Sequence, residues 1–393
     1  MRLRSHTSQI DLFIAGAGPA GLACAIASAL QGLTVHVADA MRPPIDKACG
    51  EGLMPDSLQA LAAIGIDLNH DLLRFETHPL HGIRFLSERA ATEAAFPNHP
   101  GRGIRRTILH QLLLDRAISL GVHFHWQNSV QGITPQAEGI LVHTNRQTFH
   151  ARYLVGADGH RSRVATWAGL TQEVIHSRRI GLRQHYTIAP WSSFVEVYWG
   201  PQGQAYVTPV SSSQVSVAFV TNKKISGPNE ALAHLPALRQ RLANADPTGS
   251  PRGSITLGRT LHRVATHNIA LIGDASGSVD AVTGEGLALT FRQAAALAHA
   301  LHANNLAAYQ QAHRRIQRLP TIMSRALLLM DRHPALRNTT LGLFERHPSL
   351  FRHLLQIHIG DSPLHKTHSH PPLEPLHPLT PPHHAFTSPR PSR

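Results

Sequence analysis

The apolar residues of this chain follow two periods in alternation. Residues 9–16 and 33–39 are short apolar runs that predict strands, and the Ala-rich stretch from about 19 to 31 predicts a helix between them. Residues 104–120 repeat apolar side chains at helical spacing, with Leu109, Leu112, Leu113 and Ala117 on one side. From Gly181 to Asn222 the pattern becomes that of antiparallel strands. Phe194–Trp199, Gln204–Val210 and Val215–Val220 are divided by Gly-Pro-Gln-Gly and Ser-Ser-Ser turns. The apolar run Ile269–Ile272 then leads through Gly273-Asp274 to a helix from about Gly286 to Asn304. Strands and helices in this order predict an α/β protein, and no internal repeat is visible.

The two ends break the pattern. Arg2 and Arg4 before the apolar run Leu12–Leu30 look superficially like a secretory signal, but Gly16, Gly18, Pro19 and Gly21 interrupt the run. A strand, a turn and a helix describe that segment better. Residues 361–393 hold nine prolines and six histidines and predict a disordered tail. Its histidines lack metal-ligand spacing, and no metal site is expected.

Composition narrows the classes. The 393 residues suffice for two or three domains, and 42% apolar against 16% charged residues describes a folded protein. Two cysteines cannot build a disulfide framework, and no apolar run reaches membrane-spanning length. The expectation is a cytoplasmic protein. Lys plus Arg number 37 against 24 acidic residues, a formal +13, which suggests an anionic partner. Nucleic acid is not that partner on present signals, because there is no zinc-finger spacing, RNP motif or basic-aromatic stripe.

Three strand-end motifs carry the chemistry. Gly16-Ala17-Gly18-Pro19-Ala20-Gly21 is a GxGxxG with a strand before it and a helix after it, the context a dinucleotide requires. The first glycine permits the turn, the second lets backbone approach a pyrophosphate, and the third lets helix pack on strand. Asp39 ends the next strand, where a carboxylate suits ribose hydroxyls. Gly156-Ala157-Asp158-Gly159 follows the strand Tyr153–Val155, and Gly273-Asp274 follows Ile269–Ile272. In this order and spacing the motifs resemble the FAD-dependent monooxygenase and geranylgeranyl reductase superfamily, which shares the para-hydroxybenzoate hydroxylase fold. The resemblance spans roughly residues 9–320.

That resemblance implies FAD, with Asp274 at its ribityl or pyrophosphate region and Asp158 between the flavin and nicotinamide sites. Arg106-Thr107-Ile108-Leu109-His110 is similar to the family's RxxLD helix, so Arg106 is expected to meet the FAD phosphates. His110 stands where the family has aspartate. A solvated arginine at a helix start is the plain alternative for Arg106. Cys49-Gly50-Glu51-Gly52-Leu53 resembles the CGEGL loop of the reductase branch, and Gly273–Gly286 resembles its GDAAGxxxPxTGEG segment, with Ala281 in place of proline. Gly284, Glu285 and Gly286 would offer backbone N–H groups to the electron-rich edge of the flavin. Cys49 and Gly50 would border the flavin, and Cys49 is the one weak catalytic candidate, with a small buried filler as the alternative.

The resemblance divides the chain as follows. Residues 9–70, 101–175 and 262–312 form the FAD-binding domain, and 71–100 with 176–261 form an inserted antiparallel substrate sheet. Basic helices occupy 313–360, and the tail 361–393. Polyprenyl reductases carry a YxWxFP motif; here Gln204-Ala205-Tyr206-Val207-Thr208-Pro209 keeps one aromatic and the proline. Tyr198, Trp199 and Tyr206 could face substrate or simply pack in the sheet. Arg183 and His185 share a strand face and could hold an acidic substrate group, or lie on the surface.

The implied activity is an FAD-dependent oxidoreductase with NADPH or NADH as transient reductant, since only one GxGxxG is present. Hydroxylation of a small or lipid-like metabolite leads, and reduction of a carbon–carbon double bond is the alternative. The charge can be placed as well. Residues 314–352 hold eight arginines against Asp331 and Glu345, half of the excess in the first 360 residues. Such helices could lie on anionic lipid, or form a solvated face over the FAD domain. Oligomeric state is not legible.

Overall fold

The computed structural model describes residues 10–66 and 70–360. The tail expectation for 361–393 lies outside the described residues.

A largely parallel sheet organises the first layer. Strand Ile10–Ala15 lies between Val35–Asp39 and Thr148–Gly156, with His123–Trp126 beyond the former and Ile269–Leu271 beyond the latter. Leu12, Phe13 and Ile14 are wholly buried, as both faces of a parallel sheet require. Register is what builds the site. Ala15 pairs with Ala38 and with Gly156, and Gly156 pairs with Leu271. The carboxyl ends of four strands therefore stop level, and the residues after them leave from one edge, where open α/β sheets take ligands.

Helix Pro19–Leu30 begins with proline at its first turn, a position that needs no N–H partner. Ten of its twelve residues are buried, and it packs against helices Arg106–Ser119 and Gly286–His302.

The second sheet has eight strands, ordered Gly277–Ser278, Asp246–Leu261, Glu173–Thr187, Gln214–Thr221, Gly203–Pro209, Phe194–Gly200, Gly82–Leu86 and Ala91–Ala95. All its pairs are antiparallel except Phe194–Gly200 with Gly82–Leu86. A three-stranded sheet of Gly52–Leu53, His78–Leu80 and Gly101–Gly103 joins the two layers. Gly103 makes that junction possible, because a Cβ there would fall 1.6 Å from the Pro209 carbonyl oxygen.

The basic region is three helices, Leu306–Arg332, Pro334–Arg346 and Pro348–His358. The repeated Arg-His-Pro step explains the division. Proline disfavours α conformation in the residue before it; His333 is extended, His347 at φ −128° and ψ 73° is likewise outside the α region, and each proline starts the next helix. These helices do not simply cover the FAD domain. The long helix starts there, with Leu306 and Tyr309 in its core. From Leu328 onward Met330, Leu341, Phe344, Phe351 and Leu355 instead join Val195, Val197 and Trp199 of the substrate sheet in one cluster. Among the described residues no helix is long and apolar enough to cross a membrane.

Candidate active site

The glycine turn divides its three glycines by what surrounds them. Gly16 has φ +110°, and a Cβ there would meet the Ala157 carbonyl oxygen at 2.5 Å; at Gly21 it would meet the Gly16 carbonyl oxygen at 1.8 Å. Both close approaches are protein against protein. Gly18 has no atom within 4 Å of such a Cβ, so its backbone faces open space at a helix N-terminus, the setting that binds phosphate. Ala17 between them is gripped twice. Its N–H donates to Asp39 Oδ2 at 2.8 Å, and its carbonyl takes a hydrogen bond from His110 Nε2 at 3.0 Å. His110 is buried, and desolvation lowers its pKa. The neutral imidazole with its proton on Nε2 therefore braces the turn where the resembling family has aspartate.

Other strand ends close on the same turn. Asp158 Oδ2 accepts the N–H groups of Arg163 and Val164 at 2.8 and 3.2 Å, and its Oδ1 is buried with no partner in the protein. Gly273, at φ +62°, lies so near the first helix that a Cβ would sit 2.7 Å from that of Ala20. Its N–H donates to Gln293, and the next side chain, Asp274, is exposed. Arg106 is half-buried, with Nε buried and unpartnered, so it is not a fully solvated helix-start arginine. A cradle at Gly18, an orphaned guanidinium nitrogen and an orphaned carboxylate oxygen are features that a bound dinucleotide would complete.

Glu51 was missed at sequence level as a functional residue, although its loop was not. It has φ +61° and turns its side chain inward, 2% exposed. Oε1 accepts from the Arg106 N–H at 2.8 Å and Arg183 Nη1 at 2.9 Å, and Oε2 lies 2.5 Å from His185 Nε2. Arg183 also forks onto Asp46, 3.0 Å to each oxygen. Burial opposes the charge on Glu51, but the hydrogen bond and attraction from His185, with the charge of Arg183, outweigh it and hold the pKa below the usual value. Arg183 and His185 are thus buried, not on the surface, and the acid they hold is the protein's own. Cys49 is half-buried beside this loop, its Sγ taking the Glu51 N–H at 3.4 Å. Cys24 is core, its thiol pushed up to about 12 by burial.

A second loop meets the same face of the sheet farther along the strand, since Arg179 and Arg183 alternate onto one side. Asp280 is buried and accepts from Ser177 at 2.6 Å and from Arg179 at 3.3 Å. Arg179 also donates to Gln204, and Tyr206 donates to the Val282 carbonyl at 3.0 Å. Strand alternation separates the candidate tyrosines. Tyr206 shares a face with Val197 and Trp199 toward this loop, whereas Tyr198 packs with Leu232, Leu235 and Leu238 on the opposite face, its hydroxyl on Glu196. Tyr198 and Tyr206 therefore do not line one cavity, and Tyr198 lies on the far side of the sheet. Beyond Val282, Gly284 has φ +70°, and neither Gly284 nor Gly286 has an atom within 4 Å of a Cβ.

Glu285 between them is 3% exposed, and its buried Oε2 has no hydrogen-bond partner among the described residues, lying 3.7 Å from His358 Nδ1. Burial first, then repulsion from Asp56, pushes its pKa well up, against a weaker pull from Arg292. Arg292 is engaged by Asp56 at 2.9 Å, and His358 Nε2 meets the Thr283 carbonyl at 3.1 Å. The sequence signal for these partners is faint: only the repeated Gly-Glu-Gly marks the two loops.

A cavity of about 880 Å³ lies elsewhere, at the entering ends of the parallel strands, where Tyr153, Trp167, His267 and Asn304 line it. It takes no part in this constellation.

Fold and strand-end motifs together define a flavin-dependent oxidoreductase. A family model described as an FAD-binding domain matches residues 9–314, and the chain belongs to that family. The menaquinone reductase of Mycolicibacterium smegmatis is 28% identical over 307 residues, 71% of this chain and 73% of that protein. Digeranylgeranylglycerophospholipid reductase 1 of Methanothermobacter thermautotrophicus is 24% identical, over 71% and 74%. A 3-(3-hydroxy-phenyl)propionate/3-hydroxycinnamic acid hydroxylase of Paraburkholderia xenovorans is 32% identical, but over only 40% of this chain and 27% of the hydroxylase. In three dimensions a flavin-dependent brominase superposes at TM-score 0.77, covering 90% and 94% of the two chains at 18% identity, which bears on the fold alone. The protein is an FAD-dependent oxidoreductase with the para-hydroxybenzoate hydroxylase type of fold.

Proposed function

We propose that this chain is an NAD(P)H-using reductase of carbon–carbon double bonds in a lipid-like substrate. One observation carries the reading. Arg179 and Arg183, the buried arginines of strand Glu173–Thr187, are each paired with carboxylates of the protein, and His185 is hydrogen-bonded to Glu51, so that face offers an acidic substrate group no unpaired charge. The relatives matched over about three-quarters of their own length support it, since both are named as reductases, of menaquinone and of a digeranylgeranyl phospholipid. Sequence alone puts hydroxylation first; the short hydroxylase match gives that reading less support.

In this reading Gly16 and Gly21 shape the turn, Gly18, Pro19 and Ala20 at the helix start receive the pyrophosphate, Arg106 meets the phosphates and Asp39 the adenosine ribose. Gly273 and Asp274 meet the ribityl region, and Asp158 stands between flavin and nicotinamide. FAD supplies the hydride chemistry when bound. The N–H of Gly284 is taken by the Ala281 carbonyl and that of Glu285 by Thr283 Oγ1 at 3.4 Å, which leaves the Gly286 N–H as the donor of this loop for the edge where negative charge accumulates. Cys49 and Gly50 border the ring from the other loop. The reductant binds transiently, and a cytoplasmic setting suits two free cysteines.

Anaerobic incubation with NADPH and a polyprenyl lipid tests the reading. A product gaining two hydrogens is expected. Turnover only in air, with an oxygen atom gained, would replace the reading with hydroxylation.

A further inference from the structure

The outer faces of the three C-terminal helices carry large apolar side chains that no other described residue covers. Ile322, Leu329, Leu336, Leu343 and Leu350 are 53%, 49%, 40%, 42% and 38% exposed. They recur every seven residues, straight through both Arg-His-Pro breaks. The inner faces of the same helices already fill the core against the substrate sheet, so the outer leucines are not core positions left short of a partner. Val174 and Ile175 on strand Glu173–Thr187 are also exposed, 49% and 56%. They adjoin His176, whose pKa is lowered by burial and by the charge of Arg325, and Arg325 sits on the long helix between Ile322 and Leu329.

Charge accompanies the apolar side chains. Arg318, Arg325, Arg332, Arg346 and Arg352 are exposed, and Glu345 is the one exposed acid between residues 314 and 352. Asp331 is turned inward, to Gln204 at 2.6 Å and Arg179 at 3.4 Å. A second copy of the chain docked on this face would set arginine against arginine. A layer of anionic headgroups over hydrocarbon would satisfy both kinds of side chain: arginines at the phosphates, leucines and isoleucine in the acyl boundary.

We infer that residues 314–352, with Val174 and Ile175, form a peripheral docking face for an anionic lipid surface, the helices lying in the plane of the interface. The face stands on exposure and charge and does not require the reductase reading. That reading adds only a purpose, since the last helix reaches the flavin-side loop through His358 and Thr283, which sets the docked face and the candidate active site on the same helical cap.

Co-sedimentation of the full-length FAD-loaded protein with phosphatidylcholine vesicles, with and without phosphatidylglycerol, decides the matter. Binding is expected only to the anionic vesicles, weakening as salt is raised. A triple variant Leu329→Ser, Leu336→Ser, Leu343→Ser is expected to bind at least about tenfold more weakly. Reversal of Arg325, Arg346 and Arg352 to Glu is expected to lower partitioning by about fivefold or more per residue. Both variants should keep the flavin absorbance and the melting behaviour of the parent, since every changed side chain is exposed. Equal binding to both vesicle types, no binding to either, or unchanged binding by the variants would overturn the inference. So would a concentration-dependent dimer that the serine variant abolishes. Turnover of detergent-dispersed substrate, measured alongside, keeps the two questions apart: a protein that reduces lipid but ignores vesicles sinks the docking face and leaves the reductase intact.

Discussion

The tripeptide Gly-Glu-Gly occurs twice at the candidate site, and its two glutamates are pushed in opposite directions. Glu51 and Glu285 are equally buried, 2% and 3% exposed, and burial penalises both charges. Glu51 meets a backbone N–H, a guanidinium and an imidazole, and is held ionised below its ordinary 4.5. Glu285 has no donor for its carboxyl among the described residues, faces Asp56, and has its pKa pushed well above 4.5. Burial alone therefore does not assign charge; the donors within reach do. Both loops are tied to the second sheet, one by Glu51 through Arg183 and His185, the other by Asp280 and Val282, and only in the first does the glutamate itself make the tie.

Removing the charged member has the largest expected effect. Glu51→Ala leaves Arg183 with Asp46 alone and strips the Arg106 N–H of its acceptor. Breaking a buried pair of this kind costs about 3–5 kcal/mol, and chemical denaturation would measure it; a loss below about 1 kcal/mol would show that the network is wet or dispensable. The pH dependence has a definite sign. Because the folded pKa lies below 4.5, the stabilisation is present above the unfolded pKa and is lost as pH falls through the folded value. Glu51→Gln should lack that acid-side slope.

Glu285→Gln is the converse and smaller change. With its folded pKa raised above 4.5, wild-type Glu285 contributes nothing adverse at acid pH and becomes destabilising as pH rises through the folded value. The amide mimics the protonated acid, so variant and wild type should lie within about 1 kcal/mol at pH 5. The variant should become the more stable of the two on the alkaline side. Parallel denaturation curves across pH would test this, and a variant that is the less stable at every pH would mean that Glu285 is ionised and engaged.

The contrast between the loops also marks how far the sequence could be read. The strand-end motifs were legible because each is local. An apolar strand ending in glycine fixes its own turn, and parallel register then brings the turns level. The Arg-His-Pro breaks were equally present in the chain, since proline acts on its immediate neighbour. What was not legible needs partners far apart. Glu51 and Arg183 are separated by 132 positions, and nothing around either names the other. Arg183 and His185 could be placed on one strand face, but not which way that face looked. Tyr198 and Tyr206 looked equivalent until pairing of Val197 with Tyr206 put the two tyrosines on opposite faces. The C-terminal helices divide between two layers for the same reason: amphipathicity predicts that a face is covered, not by what.

The smallest expected effect on stability is also the most informative about the cofactor. Gly50 and Gly286 flank the two glutamates, are exposed, and have no atom within 4 Å of an added Cβ; neither has a positive φ. Alanine at either position should leave the apoprotein unchanged or raise its stability by up to about 1 kcal/mol, through the loop at Gly50 and helix propensity at Gly286. If the open space at both belongs to the flavin, each methyl group intrudes on it, and FAD affinity should fall by about tenfold, some 1.4 kcal/mol. Titration of apoprotein with FAD, beside melting curves, reads both quantities at once. Loss of affinity at Gly286 but not at Gly50 would show that only the Glu285 loop touches the ring, leaving the Glu51 loop a strut between domains. Gly21→Ala is the internal contrast, since its Cβ would fall 1.8 Å from the Gly16 carbonyl oxygen: there the fold and FAD binding should fail together, whereas at Gly50 and Gly286 they should come apart.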